Sequence, residues 1–426
     1  MEPFVFLRTI TVRNLAGSEL LSLTITASAT LQNLHDVVVS RLDIPPAVNV
    51  SLLFGERVLS NVEWWLHDGA TMALTLVREP ARLVLTSSYD KTAKLWNANT
   101  GVCFLTFEGH TDVVNSATFS PDGASVLTAS RDGTAKIWNS TTGDCLLSFG
   151  RFSSVLPSWG FNSGRFSPDG ASVVTASENG MAQIFCSSTG DCLLTFGTPA
   201  AIIIPGSGMM MAAFSPDGAS VLTASDDRMA KIWSSSTGDC FLILSGHQEE
   251  VVSGEFSSDG SLALTASEDS TAKIWDSSTG ACLVTLFGHG AALHSAVFSS
   301  DRASVLTTSE DGTARLWSAA LWSADVPEEL MRSGAVSLVR QSLRTLVAPM
   351  FPWMPGAADG GRRLDWRDGG SFWTAAFSSD GTEVLTGNSR GAVAIWAQRG
   401  AGQSDFRHVW TFYGHSAGVT SCIFSR

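Results

Sequence analysis

This 426-residue chain has no cluster of basic residues, no long apolar run and no closely paired cysteines. Arg362 and Arg363 form its only basic pair, and a formal net charge of −13 would repel a phosphate backbone, so no nucleic-acid partner is expected. No apolar stretch approaches the roughly 20 residues of a membrane-spanning helix, and the start MEPFVFLRTI lacks a basic segment and a small-residue cleavage site. The expectation is a protein without membrane insertion, placed in the cytoplasm or nucleus. The 7 cysteines form no CxxC, the 8 histidines no HExxH, and neither a DxDxDG loop nor a Gly-rich phosphate loop occurs. No metal and no cofactor is therefore expected. Cys103, Cys145, Cys192, Cys240 and Cys282 recur at one repeat position, each opening a short apolar run, which reads as core packing in a reducing compartment.

Repetition is what the chain does have. Hydrophobic residues make up 44% and charged residues 16%, a balance that supports large buried sheets. One segment recurs as LTSSYDKTAKLW at 85–96, LTASRDGTAKIW at 127–138, LTASDDRMAKIW at 222–233, LTASEDSTAKIW at 264–275 and LTTSEDGTARLW at 306–317. Looser copies are VTASENGMAQIF at 174–185 and LTGNSRGAVAIW at 385–396, and the regular step, as from Trp96 to Trp138, is 42 residues. Each unit holds further short runs of strand composition, such as VVNSATF at 113–119 and CLLSF at 145–149, separated by turn formers such as Ser120-Pro121-Asp122-Gly123. Four short strands per unit cannot cover both of their own faces. Neighbouring units must stack, and radial closure shields their edges.

The spelling resembles the WD-repeat family over about 82–426: Gly109-His110 leads in, Ser130-x-Asp132 follows and Trp138 closes the unit. This implies a mainly β fold, a seven-bladed propeller over 80–426. Phe-Ser marks seven inner strands, at Phe119, Phe166, Phe214, Phe256, Phe298, Phe377 and Phe424. The first unit starts at Leu83 without one, and GHSAGVTSCIFSR at 414–426 ends the chain with one to spare, so the C-terminal strand is expected to complete the first blade. The resemblance also implies hydrogen-bonded structural tetrads: His110, Ser130, Asp132 and Trp138; His247, Ser267, Asp269 and Trp275; His289, Ser309, Asp311 and Trp317; and, across the closure, His415 with Ser88, Asp90 and Trp96. A catalytic triad is normally one special place, so a set that recurs reads as architecture, and no catalytic residue is assigned.

Two regions stand outside the repeat. From Trp317 to Phe377 the chain takes 60 residues where 23 separate Trp275 from Phe298, and the excess at about 319–370 reads as an insertion. Pro327-Glu328-Glu329 looks like a helix start, with Leu330, Val336, Val339, Leu343 and Leu346 at partial helical spacing. Residues 1–79 read as a separate α+β domain: a hairpin from 9–15 and 19–26, a helix over 30–42, a strand at 51–54 and a last strand at 71–77. Their order, with Ile44-Pro45-Pro46 between, resembles the ubiquitin-like, β-grasp family over about 4–78. Leu53 matches the isoleucine of that family's receptor-binding patch, whereas Thr75 stands where its valine would be. No Gly-Gly precedes Pro80 and 1–80 contains no lysine, so neither conjugation nor lysine-linked chain building through this domain is supported.

Function is then expected from surfaces: a non-catalytic scaffold or adaptor whose partners are other proteins, the alternative being an adaptor or substrate receptor in ubiquitin-dependent turnover. Regular units place 12 residues between the end of the outer strand and the next Phe-Ser, as from Phe107 to Phe119. From Phe149 to Phe166 and from Phe196 to Phe214 there are 17 and 18, and both stretches lack Gly-His. They are also apolar. Phe152, Leu156, Trp159 and Phe161 from the first, with Ile202, Ile203, Ile204, Met209 and Met210 from the second, are the candidate partner-binding residues, the alternative being that they fold inward and fill the space left by the missing tetrads.

Overall fold

The computed structural model describes residues 7–16, 18–26, 31–43, 48–54, 57–58, 71–150, 159–197, 208–318, 344–347, 371–398 and 406–425. They fall into two compact units: Met1–Leu83 with Asn97–Phe104, and Val84–Trp96 with Leu105–Arg426.

The first unit contains β1 (Leu7–Arg13), β2 (Glu19–Thr26), α1 (Leu31–Arg41), β3 (Val48–Phe54), the two-residue β4 (Arg57–Val58) and β5 (Thr71–Pro80). Its single sheet has the order β2-β1-β5-β3-β4, with β1 and β5 parallel at the centre. Asn14 closes the hairpin turn, its Oδ1 accepting the Ser18 N–H at 2.9 Å while its own N–H reaches the Ser18 carbonyl. Alternation puts Ile10 and Val12 of β1 and Leu74 and Leu76 of β5 on one face, where Leu34 and Val38, one helical turn apart, pack over them with Leu52. The hairpin, the helix and the two later strands of the residue pattern are present with their ends shifted, and the short strand Arg57–Val58 is one the pattern does not indicate.

Among the described residues the second unit holds seven four-stranded antiparallel sheets. Their innermost strands are Val419–Phe424, Val114–Phe119, Phe161–Phe166, Met209–Phe214, Val251–Phe256, Leu293–Phe298 and Phe372–Phe377. The sheets are numbered first to seventh in that order. Each innermost strand neighbours that of the next sheet, and Val419–Phe424 neighbours both Phe372–Phe377 and Val114–Phe119, so the sheets form a closed cycle that fits a propeller. The C-terminal strand pairs antiparallel with Leu83–Ser88, from Phe424 opposite Val84 to Val419 opposite Ser88. In the closing sheet the last strand of the chain is hydrogen-bonded to the first of the repeats.

Local chemistry sets the strand breaks. In Ser120-Pro121-Asp122-Gly123 the Asp122 carboxylate accepts from Ser120 Oγ at 2.6 Å and from the Ala124 N–H at 3.0 Å, and Gly123 takes a φ of 72°. The sixth sheet puts Arg302 at that left-handed position, at 59°. Second strands such as Ser125–Ser130 are buried on both faces, because sheets pack on either side of them. Leu127, Ala129, Ile137 and Phe149 of the second sheet, for example, meet Phe161, Val173 and Phe185 of the third.

Burial falls away toward the rim, and this corrects the reading of the cysteines. Cys145, Cys192, Cys240 and Cys282 are exposed and Cys103 is half-buried, because each opens an outer strand whose free edge faces solvent. They are free thiols, not core. The helical reading of the insertion also fails where it is described: Arg344–Val347 is a strand, pairing with Thr313–Ser318 as the outer strand of the sixth sheet. The helix start at 327–329 lies outside the described residues. Among the described residues no helix is long and apolar enough to cross a membrane.

Deleting 414–426 removes the innermost strand of the first sheet and bares sheet edges within the cycle. The loss of stability is expected to exceed by far the roughly 0.5–3 kcal/mol of a single substitution. A thermal melt that stays cooperative at the parent temperature would contradict the closure.

Candidate functional site

At the second sheet, four side chains form a continuous chain of hydrogen bonds. Trp138 Nε1 donates to Thr128 Oγ1 at 2.8 Å, Thr128 Oγ1 meets His110 Nε2 at 2.8 Å, and His110 Nδ1 meets Asp132 Oδ2 at 2.9 Å. An ionised carboxylate only accepts, so His110 Nδ1 carries the proton that Asp132 receives. Thr128 Oγ1 thus joins the Trp138 N–H to the far ring nitrogen of His110. Asp132 goes on to accept the Thr111 N–H at 2.9 Å and Thr134 Oγ1 at 2.6 Å, which ties the lead-in loop to the turn.

The same chain recurs as Trp275–Thr265–His247–Asp269 and Trp317–Thr307–His289–Asp311. At the closing sheet it spans the two ends of the repeat region: Trp96 Nε1 to Thr86 at 2.8 Å, Thr86 to His415 at 2.7 Å, and His415 to Asp90 at 2.8 Å. The histidine, aspartate and tryptophan of each set are those the sequence indicates. The serine is not. Ser130, Ser267, Ser309 and Ser88 each receive the N–H two residues on and donate to a lead-in carbonyl, for example Asp132 N and Asp112 O with Ser130, both at 3.1 Å. Threonine and serine are two apart on one strand and share a face, so spacing alone does not separate them.

Burial alone would raise each tetrad carboxyl, but hydrogen bonds from the histidine, the threonine hydroxyl and the backbone outweigh it and hold Asp90, Asp132 and Asp269 well below the ordinary range. Burial holds His289 below the usual imidazole value, against the raising effect of Asp311 beside it. Thr128 is enclosed and committed to its partners, which leaves its hydroxyl no approach to a substrate.

Three sheets break the pattern. In the third, Phe185 replaces tryptophan and no histidine enters, leaving Thr175 Oγ1 buried without a partner. In the fourth, Trp233 still donates to Thr223 at 2.8 Å, but no histidine follows; the Asp226 carboxylate accepts the Gly208 N–H at 2.5 Å. In the seventh, Trp396 donates to Thr386 at 2.9 Å. Arg131 and Glu178 pair at 3.0 Å between the second and third sheets.

The apolar lead-in residues divide accordingly. Phe161 and Met209 are not loop residues: they open innermost strands and are 3% and 5% exposed, in the place Val114, Val251, Leu293, Phe372 and Val419 take elsewhere. The six-residue strand before each Phe-Ser claims them. Met210 is half-buried and lines the central cavity, and Trp159 is half-buried just before the third sheet. Phe152, Leu156, Ile202, Ile203 and Ile204 lie outside the described residues. Among the described residues no group of His, Cys, Asp and Glu is arranged to hold a metal ion.

Two substitutions of one residue type should part company. Thr265→Val strands the Trp275 N–H and a His247 nitrogen and is expected to cost about 1–3 kcal/mol, whereas Thr175→Val removes an orphan and should be neutral or stabilising. Urea melts of both variants decide it; equal costs would show that the relay is energetically idle. The pH dependence has a fixed sign. The tetrad carboxyls are depressed in the folded state, so their contribution is present above the unfolded value of 3.8 and is lost as pH falls through the lower folded values. Urea midpoints should therefore fall below about pH 4, and Asp269→Asn should soften that fall.

Against known families, the model described as WD domain, G-beta repeat matches residues 101–139, 203–234, 238–276 and 280–318, about a third of the chain. Nuclear distribution protein PAC1 of Arthroderma benhamiae and that of Trichophyton verrucosum are each 49% identical to it over 41 residues. That stretch is 10% of this chain and 9% of theirs, so the match covers under a tenth of the curated relatives. The chain carries WD40 repeats.

Proposed function

We propose that this chain is a non-catalytic scaffold or adaptor for other proteins, built as a seven-bladed propeller over 80–426 and closed by its C-terminal strand. WD40 repeats in general mediate protein–protein interaction. The observation that carries the proposal is the uneven use of the relay. Four sheets pin their lead-in loops with it, while the third, fourth and seventh lack it, and the adjacent third and fourth follow apolar lead-in segments longer than the regular 12 residues. A closed cycle in which two neighbouring sheets lack the relay and follow long apolar segments is a frame for protein recognition. The cyclic order of the innermost strands supports the count of seven blades. The formal net charge of −13 argues against nucleic acid as the partner.

One observation favours a second reading, an adaptor in ubiquitin-dependent turnover. The order β2-β1-β5-β3-β4, with first and last strands parallel at the centre and one helix packed across, supports a ubiquitin-like N-terminal domain.

Phe152→Ser with Ile203→Ser is expected to abolish co-purification of partners while leaving the melting temperature unchanged. Retained partners, or a large drop in stability, would reject the loop surface. Leu53→Ala separates the second reading: loss of ubiquitin-ligase or proteasome subunits alone would favour it, and an unchanged partner set would dismiss it.

A further inference from the structure

The innermost strands surround a cavity of about 570 Å³, within the 300–1,000 Å³ typical of small-molecule sites. Each of these strands carries a β-bulge at its second residue, which turns side chains such as Asn115, His294 and Trp373 into one end of the cavity. The fifth residue of each strand defines a second level. Five of these seven positions hold alanine, valine, isoleucine or threonine. The other two hold Arg165 and Glu255, of opposite sign.

Neither charge is explained by the architecture. Seams between adjacent innermost strands are stitched by neutral hydroxyls elsewhere: Ser421 Oγ accepts the Ala117 N–H at 3.0 Å, Ser116 Oγ that of Gly164 at 2.9 Å, and Ser163 Oγ that of Ala212 at 3.0 Å. Glu255 Oε1 does the same for the Phe298 N–H, so the stitch needs an acceptor and not a charge. Its other oxygen has no hydrogen bond among the described residues. Burial pushes the Glu255 carboxyl up to about 7, and the Phe298 N–H and the more distant Arg165 only partly offset this. Arg165 is exposed to the cavity and makes no hydrogen bond or ion pair among the described residues. Ionisable groups held in a cleft without structural compensation mark binding sites.

The pair of signs selects the ligand class. A simple cation drawn to Glu255 meets Arg165, and a simple anion drawn to Arg165 meets Glu255. A small molecule with both charges satisfies both. We infer that the central cavity binds a small zwitterion of the amino-acid type, its carboxylate on Arg165 and its ammonium on Glu255. The inference is independent of the scaffold reading, which rests on the loops and relays.

Isothermal titration of the full chain at pH 7.5 tests it, with glycine, L-leucine and γ-aminobutyrate as probes of different span and n-butylamine and butyrate as single-charge controls. At least one zwitterion should bind saturably at one site, and each control at least ~10-fold more weakly, as expected when one of two charge contacts is lost. Arg165→Met and Glu255→Gln should each weaken that binding by ~10-fold or more. Glutamine keeps an acceptor for Phe298 and Arg165 is exposed, so both variants should melt like the parent. Absence of binding by any zwitterion, equal binding of a control, or binding unchanged in both variants would overturn the inference.

Discussion

A four-stranded sheet whose second strand must be buried on both faces has no stable existence alone, and the architecture of the repeat region follows from that constraint. Val126 to Ser130 and their counterparts in the other six sheets are buried on both sides. Each sheet must therefore have two neighbours, and a linear stack would leave two bare faces. The chain meets the demand by joining its ends. Val419–Phe424 completes the sheet begun by Leu83–Ser88, and His415 enters the Thr86, Trp96 and Asp90 relay across more than 300 residues of sequence.

The relays act on the connections. Hydrophobic packing between sheets sets their spacing, but it does not fix the loops that lead into them. The Trp–Thr–His–Asp chain does, since each donor has one acceptor and the last carboxylate grips the loop backbone. Where histidine is lost, as at the third sheet, the cost is visible in the orphaned Thr175 hydroxyl. Stability has been given up beside two neighbouring apolar lead-in segments that exceed the regular length of 12 residues, as expected where surface variation serves recognition.

Much of this was legible in the residues because the repeat reports the same environment several times over. The 42-residue step, the Phe-Ser marks and the surplus strand at 414–426 locate the sheets and their closure. Errors arose where two positions share a local pattern and differ only in tertiary surroundings. Thr128 and Ser130 lie on one strand face, and only the reach of Trp138 and His110 singles out the threonine. Cys145 and its equivalents open apolar runs, yet sit on a strand with no neighbour outside it. Phe161 and Met209 look like loop residues when the count stops at Phe-Ser, and become core once the strand length of six is known. Leu343 and Leu346 suggest a helical face, but a sheet short of its outer strand takes Arg344–Val347 instead. The charges at Arg165 and Glu255 carried a signal too: among seven equivalent positions, theirs alone are ionisable.

The central claim is that the two ends of the repeat region form one cooperative structure with the rest. Native-state hydrogen exchange reads this directly, because amides protected only by global unfolding share one opening free energy. Backbone amides of 84–88 and 420–424 are predicted to exchange in the slowest class, together with those of 126–130 and 263–267, and with the same dependence on denaturant. Faster, independent exchange at 420–424 would show the C-terminal strand to be an appendage, and the cycle would then be open.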